Sequence, residues 1–188
     1  NFDLHADSLV VNVQCHLGAN QSRIETKGNL LEPGANFENF SFVSGRGKQL
    51  FDQRTEQYHF APHCSSNLLA KNVLQDEAKS IFAGLIKVDP KAQQTNALQT
   101  NRNLLLSRDA EADSLPGLEI LANDVRCTHG ATTSRLNQEE LFYLLSRGIE
   151  KKSAESLISL GFLEEIIGKI QDEELIQRIR ETVYTHFK

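Results

Sequence analysis

The hydrophobic pattern of the chain changes its period near residue 136, and this change constrains the fold more than any other feature. Before that point, short apolar stretches alternate with polar residues and are separated by Gly, Asn, Ser and Asp. This arrangement is typical of half-buried β-strands. After it, apolar residues recur every three or four positions, as in amphipathic helices. We therefore predict a mainly β body at 1–136 and an α-helical segment at 137–188.

Eight strands are expected in the β body, and no helical pattern separates them, which argues against a doubly wound α/β fold. The predicted strands are 8–17, 22–31, 36–44, 49–60, 68–74, 81–89, 101–107 and 118–129. Many short strands favour a β-sandwich or barrel, and a parallel β-helix gives a similar signal. No strict hexapeptide or nonapeptide repeat is visible, so the pattern leaves both architectures open.

Three short helices are expected after residue 136. Asn137 and Asp172 are residue types that cap helix N-termini, and Gly148 is a residue type that ends a helix. A second helix should begin near Ser153. Two compatible roles fit these helices: a cap over the open end of the β core, and a docking surface for another protein.

The composition excludes several classes of function. A formal net charge of −5 disfavours non-specific nucleic-acid binding, which needs a basic surface. Three cysteines without framework spacing disfavour a disulfide scaffold and suit a reducing compartment. No apolar run approaches the length of a membrane span, and no signal peptide is recognisable. The absence of methionine predicts that the chain is a piece of a longer protein.

The stretch 124–132 contains the strongest candidate ligands. Cys127 and His129 lie two residues apart in a predicted strand, so their side chains should share a face. Thiolate and imidazole both bind metals, but the pair supplies at most two ligands. An alternative interpretation makes Cys127 a small buried side chain and His129 a strand-end histidine, with a corner at 123–124.

The remaining motifs provide no self-contained catalytic set. Cys15 and Cys64 each adjoin a histidine, and adjacent side chains on a strand diverge, so a core or loop role is expected. The segment 45–48 lacks the length and the Ser/Thr of a phosphate-binding loop. The acidic residues of 109–113 are expected in a solvated loop.

A series of motifs in order resembles the C-terminal core of the SufB/SufD family. The matching segments are 100–107, 118–120, 123–132, 141–144 and 146–149, within a similarity that spans about 60–162. A cysteine immediately before Thr128-His129-Gly130 is a feature in which the chain resembles the SufD branch of the family. SufB proteins typically have Glu-His-Glu-Ala-Thr where this chain has Thr-His-Gly-Ala-Thr. Several motifs in register are far more specific than any one of them.

The resemblance implies a right-handed parallel β-helix followed by a small α-helical C-terminal domain. It implies a scaffold subunit for iron–sulfur cluster assembly in the SUF system, not an enzyme, that acts with a partner ATPase. The implied partners are a SufB-like subunit, bound through the β-helix, and a SufC-like ATPase, bound through the C-terminal helices. A homodimer is a further possibility for the isolated chain. The implied location is a bacterial cytoplasm or a plastid stroma.

The resemblance also assigns candidate site residues. His129, and with less support Cys127, become candidate ligands of a transient iron–sulfur cluster or iron shared with the partner chain, and the chain alone holds no cofactor tightly. The partner-binding residues expected on the helices are Leu141, Phe142, Leu145, Ile149, Leu157 and Phe162. The competing hypothesis is a purely structural subunit that supports complex formation or iron acquisition without direct ligation.

Overall fold

The computed structural model describes residues 1–187, and its β body is a solenoid of about five coils. Two five-stranded sheets, parallel throughout, form its walls: the odd-numbered strands make sheet A and the even-numbered strands make sheet B. The strands are β1 Phe2–Leu4, β2 Leu9–His16, β3 Gln21–Leu30, β4 Asn36–Gly45, β5 Leu50–His59, β6 Ser65–Leu74, β7 Lys79–Val88, β8 Thr95–Leu105, β9 Glu111–Ile120 and β10 Val125–Arg135. This architecture decides between the two alternatives that the pattern left open.

Each coil contributes one strand to each sheet, and successive coils stack in register. In sheet A, Lys79 pairs with Leu50, which pairs with Gln21, so the repeat there is 29 residues. The repeat lengthens at the next coil, where Glu111 pairs with Lys79. A repeat of this length contains two strands and two corners, which explains why no hexapeptide or nonapeptide period is visible in the sequence.

The interior of the solenoid combines apolar layers with hydrogen-bonded amides. Phe82 packs with Leu68 in one buried layer. In another, the Asn72 side chain accepts a hydrogen bond from Gln53 (2.9 Å) and donates one to Asn103 (2.7 Å). Buried amides need such partners, because an unsatisfied polar group in the interior is costly. The stacked amides therefore fix the register of neighbouring coils.

Three helices follow the solenoid: α1 Gln138–Ser146, α2 Lys151–Ile167 and α3 Glu173–His186. The predicted N-caps are confirmed, since the side chain of Asn137 accepts from the Glu139 amide and that of Asp172 from the Leu175 amide. Gly148 follows α1 with a φ of +82°, the left-handed conformation that favours glycine at a helix end.

Helices α2 and α3 pack on the outer face of sheet B, and the expectation that the helices cap the end of the solenoid is wrong. One shared cluster contains Phe40, Phe42, Leu69, Val73 and Leu104 from the strands, and Leu163, Ile166, Ile167, Ile176, Ile179, Val183 and Phe187 from the helical segment. The two parts of the chain share a core, so the division into domains at 1–136 and 137–188 stays a prediction.

The structure also corrects the strand predictions near the C-terminal end of the solenoid. The single strand expected at 118–129 is two strands, β9 and β10, and the predicted corner at 123–124 separates them. The acidic segment expected to be a loop belongs in part to β9, which begins at Glu111. The short strand β1 was not predicted.

Candidate functional site

Cys127 and His129 lie on β10, the last strand of sheet B. In the part of the chain that the structure describes, β10 pairs with β8 on one side and with no strand on the other. Strand β9 ends sheet A in the same way. This end of the solenoid therefore presents two free strand edges and the inner surface of its last coil.

Both candidate ligands belong to the inward-facing row of β10. Cys127 pairs with Ala97 and His129 pairs with Gln99, and both of these β8 residues are buried in the interior. Residues in register on parallel strands point the same way, so the prediction of a shared face is confirmed. His129 is the fifth residue of an eleven-residue strand, so its expected position at a strand end is wrong.

Cys127 is half-buried against an apolar cluster. The cluster contains Ile86, Val88, Ala92, Ala97 and Ala122, with Ile120 and Val125 partly buried beside it. This burial raises the pKa of the Cys127 thiol, so the group is protonated at neutral pH. Apolar residues on both sides of the corner at 123–124 belong to this one cluster.

His129 is exposed at the mouth of the solenoid, above a polar floor that sequence reasoning missed. The floor is the side chain of Gln99, whose Nε2 donates to the carbonyl of Gly84 across the interior (3.4 Å). A Cβ at position 84 would overlap the Gln99 amide, so the glycine makes room for it. Gln99 precedes His129 by 30 residues, and this coil spacing is the sequence signal that could have identified it.

Charges differ between the two free edges. Strand β10 contains Arg126 and Arg135 and no carboxylate. The acidic residues of β9 are paired, with Lys79 Nζ 3.0 Å from both Glu111 and Asp113. Strand β9 also contains a proline, which lacks a backbone donor and is typical of edge strands.

The ligand inventory of the chain is small. Within residues 1–187, no group of three or more His, Cys, Asp or Glu lies close enough together to hold a metal ion. All three cysteines are free. Burial raises the pKa of Cys15 to about 11 and also raises that of Cys64, whose Sγ donates to the Glu32 carbonyl. Neither thiol belongs to the open end of the solenoid.

The six helical residues predicted to bind a partner divide by exposure. Phe142 is 72% exposed, and Leu145 and Leu157 are also exposed. Ile149 and Phe162 are half-buried. Leu141 is buried against Leu136 and Ala154, so it holds α1 in place rather than presenting a surface.

No helix within residues 1–187 combines the length and the hydropathy needed to cross a lipid bilayer.

Comparison with known proteins gives a family match over most of the chain. Residues 1–162 match the family described as "SUF system FeS cluster assembly, SufBD core domain". This range contains the whole solenoid, α1 and most of α2, and therefore both candidate ligands.

Individual relatives agree with the family match. The chain is 40% identical over 131 residues to the iron–sulfur cluster assembly protein SufD of Escherichia coli strain K12. The aligned region covers 70% of this chain and 31% of that protein. It is 36% identical over 149 residues to SufD of Bacillus subtilis, covering 79% and 34%. It is 37% identical over 123 residues to the chloroplastic protein ABCI7 of Arabidopsis thaliana, covering 65% and 26%. The chain thus spans about a third or less of the length of these relatives.

Proposed function

Because the chain belongs to the SufB/SufD family and is most like its SufD members, we propose that it is a SufD-like scaffold subunit for iron–sulfur cluster assembly. The observation that supports this role best is the position of His129 and Cys127 on the inward row of a terminal strand whose outer edge is unpaired. Two potential ligands at an open end form half of a site, and a second chain that covers this end can supply the rest.

We propose that a SufB-like subunit covers the open end and pairs with β10. The free edge of β10 offers a row of unpaired backbone donors and acceptors, the feature by which strands are added to sheets. Its lack of carboxylates suits a partner strand that carries them. The proline and the paired acids of β9 make that strand a poorer acceptor for an added strand.

The chemistry at this interface is binding and release, not catalysis by this chain. The exposed imidazole of His129 can offer a ring nitrogen to iron, whereas the Cys127 thiol must first lose its proton, which a metal ion promotes. Few ligands, held at an interface between two chains, suit a cluster that is assembled and then passed on. The cluster is therefore cargo of the complex.

We propose that the helices dock a SufC-like ATPase through an apolar surface made by Phe142, Leu145 and Leu157. An exposed phenylalanine and two exposed leucines on adjacent helices match the helix-in-groove mode of recognition. Ile149 and Phe162 would border that surface. In keeping with the Escherichia coli and chloroplastic relatives, the proposed location is a bacterial cytoplasm or a plastid stroma.

One observation favours the competing structural role for part of the site. Cys127 packs into the apolar cluster of the last coil and its thiol is held protonated, as in a structural cysteine. In that case His129 alone would contact the cluster, or neither residue would, and the chain would contribute shape to the interface.

Reconstitution of the complex with SufB-like and SufC-like partners tests these roles. Variants His129→Ala and Cys127→Ala are compared with Thr128→Ala, which changes an outward-facing residue between them. Complex formation is measured by size-exclusion chromatography with light scattering, and cluster content by absorption and Mössbauer spectroscopy. Loss of cluster from an intact His129→Ala complex is the expected result. Unchanged cluster assembly in that variant would refute ligation by His129.

A further inference from the structure

Lys71 is buried beneath helix α2, although it lies on the outer face of sheet B. Its side chain is 6% exposed, and its Nζ is 2.6 Å from Glu165 Oε2. The same Nζ donates to the backbone carbonyl of Phe162 (2.8 Å) and lies 4.9 Å from the centroid of the Phe162 ring. One side chain of β6 thus contacts the backbone, the charge and the aromatic ring of a single turn of α2.

The row of residues that contains Lys71 continues to the last strand of the sheet. Arg102 of β8 pairs with Lys71, and its guanidinium is 3.7 Å from the Glu165 carboxylate. Thr132 of β10 pairs in turn with Arg102. From the inner side, the Asn103 amide donates to the Thr132 carbonyl (3.3 Å). A continuous set of contacts and paired strands therefore joins α2 to β10.

We propose that Lys71 is a positioning residue that sets the position of α2 on sheet B and, through Arg102, couples that position to strand β10. The proposal rests on the proposed function only for the use that the complex would make of this coupling. A protein docked on the helices would then act on the strand that carries His129, through a path of three neighbouring strands.

Global stability is a poor measure of this role. Buried ion pairs often add little net stability, because the charges lose hydration when they are buried. Replacing Lys71 with methionine keeps the apolar contacts of the stem and leaves no stranded buried charge, since Glu165 is half exposed and remains near Arg102. The hydrogen bond from Lys71, which holds the pKa of Glu165 below its usual range, keeps the pair charged at neutral pH. In Lys71→Met we therefore expect α2 to lose its fixed position on sheet B.

Amide hydrogen exchange on the isolated full chain tests the proposal by mass spectrometry. Lys71→Met is compared with Lys71→Arg, which restores a cationic donor, and with Lys151→Met, which removes an exposed lysine from the same helix. Glu165→Gln removes the negative charge at the exposed side of the contact, while its amide oxygen can still accept a hydrogen bond from Lys71, and it provides a second test that separates the charge from the hydrogen bond. In Lys71→Met, exchange should rise on the order of tenfold in 158–167 and also in 130–134, with no change in β3 and β5.

Each alternative outcome has a definite meaning. Unchanged exchange in α2, or an equal rise in the Lys151→Met control, would overturn the positioning role. A rise in α2 with unchanged β10 would overturn the coupling, and so would a uniform rise that includes β3 and β5. If exchange in Lys71→Arg is as fast as in Lys71→Met, the positive charge at position 71 does not position α2, and this too would overturn the positioning role. The measurement needs no partner or cluster, so its failure is separate from a failure of the proposed function.

Discussion

The imidazole of His59 and the hydroxyl of Ser66 face each other inside the solenoid, with Nε2 and Oγ 2.8 Å apart. The Gln57 amide donates to the same hydroxyl at 2.7 Å, so the serine joins two strands of opposite sheets. Both His59 and Ser66 are almost fully buried. A titratable group is therefore built into the interior, at a site where a charge would be poorly solvated.

Acid should destabilise the fold through His59. Burial lowers its pKa from 6.5 to about 4, so below pH 6.5 the unfolded chain binds a proton that the folded chain does not. Stability is therefore fully present above pH 6.5 and falls as the pH decreases toward 4, by about 3 kcal/mol. Urea unfolding at a series of pH values measures this slope.

The matched variants for this prediction are His59→Gln and His63→Gln, because His63 is exposed in a corner. The slope between pH 6.5 and 4 should flatten in the first variant and persist in the second. Burial also lowers the pKa values of His16 and His186, so the difference between variants is the decisive quantity. Equal slopes in both variants would contradict the assignment.

Two strand glycines should respond oppositely to alanine. At Gly28, a Cβ would overlap the buried ring of Phe37, so Gly28→Ala should cost roughly 1–3 kcal/mol through overpacking. At Gly130 of β10 nothing lies within 4 Å of the added Cβ, so Gly130→Ala should be neutral or stabilising by up to about 1 kcal/mol. Chemical denaturation of the two variants, side by side, checks the ordering, and similar losses in both would be inconsistent with the packing described.

Removal of the Asn103 amide should loosen the last coil. Its Nδ2 lies within hydrogen-bond distance of Asn101, Ser114 and Thr133 side chains, and its oxygen accepts from Asn72. Asn103→Leu leaves the buried Nδ2 of Asn72 without its acceptor, whereas Asn101 keeps its hydrogen bond from Ser114, and should cost about 1–3 kcal/mol. Relative to the unsubstituted chain, amide exchange in Asn103→Leu should accelerate more in β10 than in β3. Asn96→Leu, at an exposed position on the same strand as Asn103, is the control.

The apolar surface of the helices should be required for docking but not for folding. Phe142→Asp should leave the unfolding midpoint unchanged, because the side chain is 72% exposed, and should abolish binding of a SufC-like ATPase. Leu9→Asp, at a 62% exposed position on β2, is the matched control and should bind normally. Isothermal titration calorimetry distinguishes the two, and equal binding by both variants would place the ATPase elsewhere.

Local signals in the sequence predicted much of the secondary structure, since most strand cores, the corner at 123–124 and the helix caps at Asn137 and Asp172 depend on neighbouring residues. Coil stacking is different, because it joins residues one coil apart, such as Asn72 and Asn103 at a separation of 31 positions, through polar side chains. Hydrophobic periodicity within a strand does not predict such pairs of polar residues. For the same reason, the position of Gln99 beneath His129 was not predicted from the sequence.

The helices illustrate a second limit. Their apolar stripes were recognisable, but a stripe does not state which surface it covers. The choice of the sheet B face over the open end depends on Phe40 and Phe42, whose outward-facing rings needed a cover. Lys71 lies between the outward-facing Leu69 and Val73 of β6 and contacts the Glu165 carboxylate of α2, a polar contact that the apolar stripes do not predict.

The 29-residue coil makes changes of chain length behave in discrete steps. A deletion of one residue within a strand moves every later side chain of that strand to the opposite face, whereas loss of one whole coil preserves all inward and outward positions. Solenoids are stabilised chiefly by contacts between neighbouring repeats, so whole coils are the unit in which such a chain can shorten or grow. Length variation within single coils should therefore concentrate at the corners.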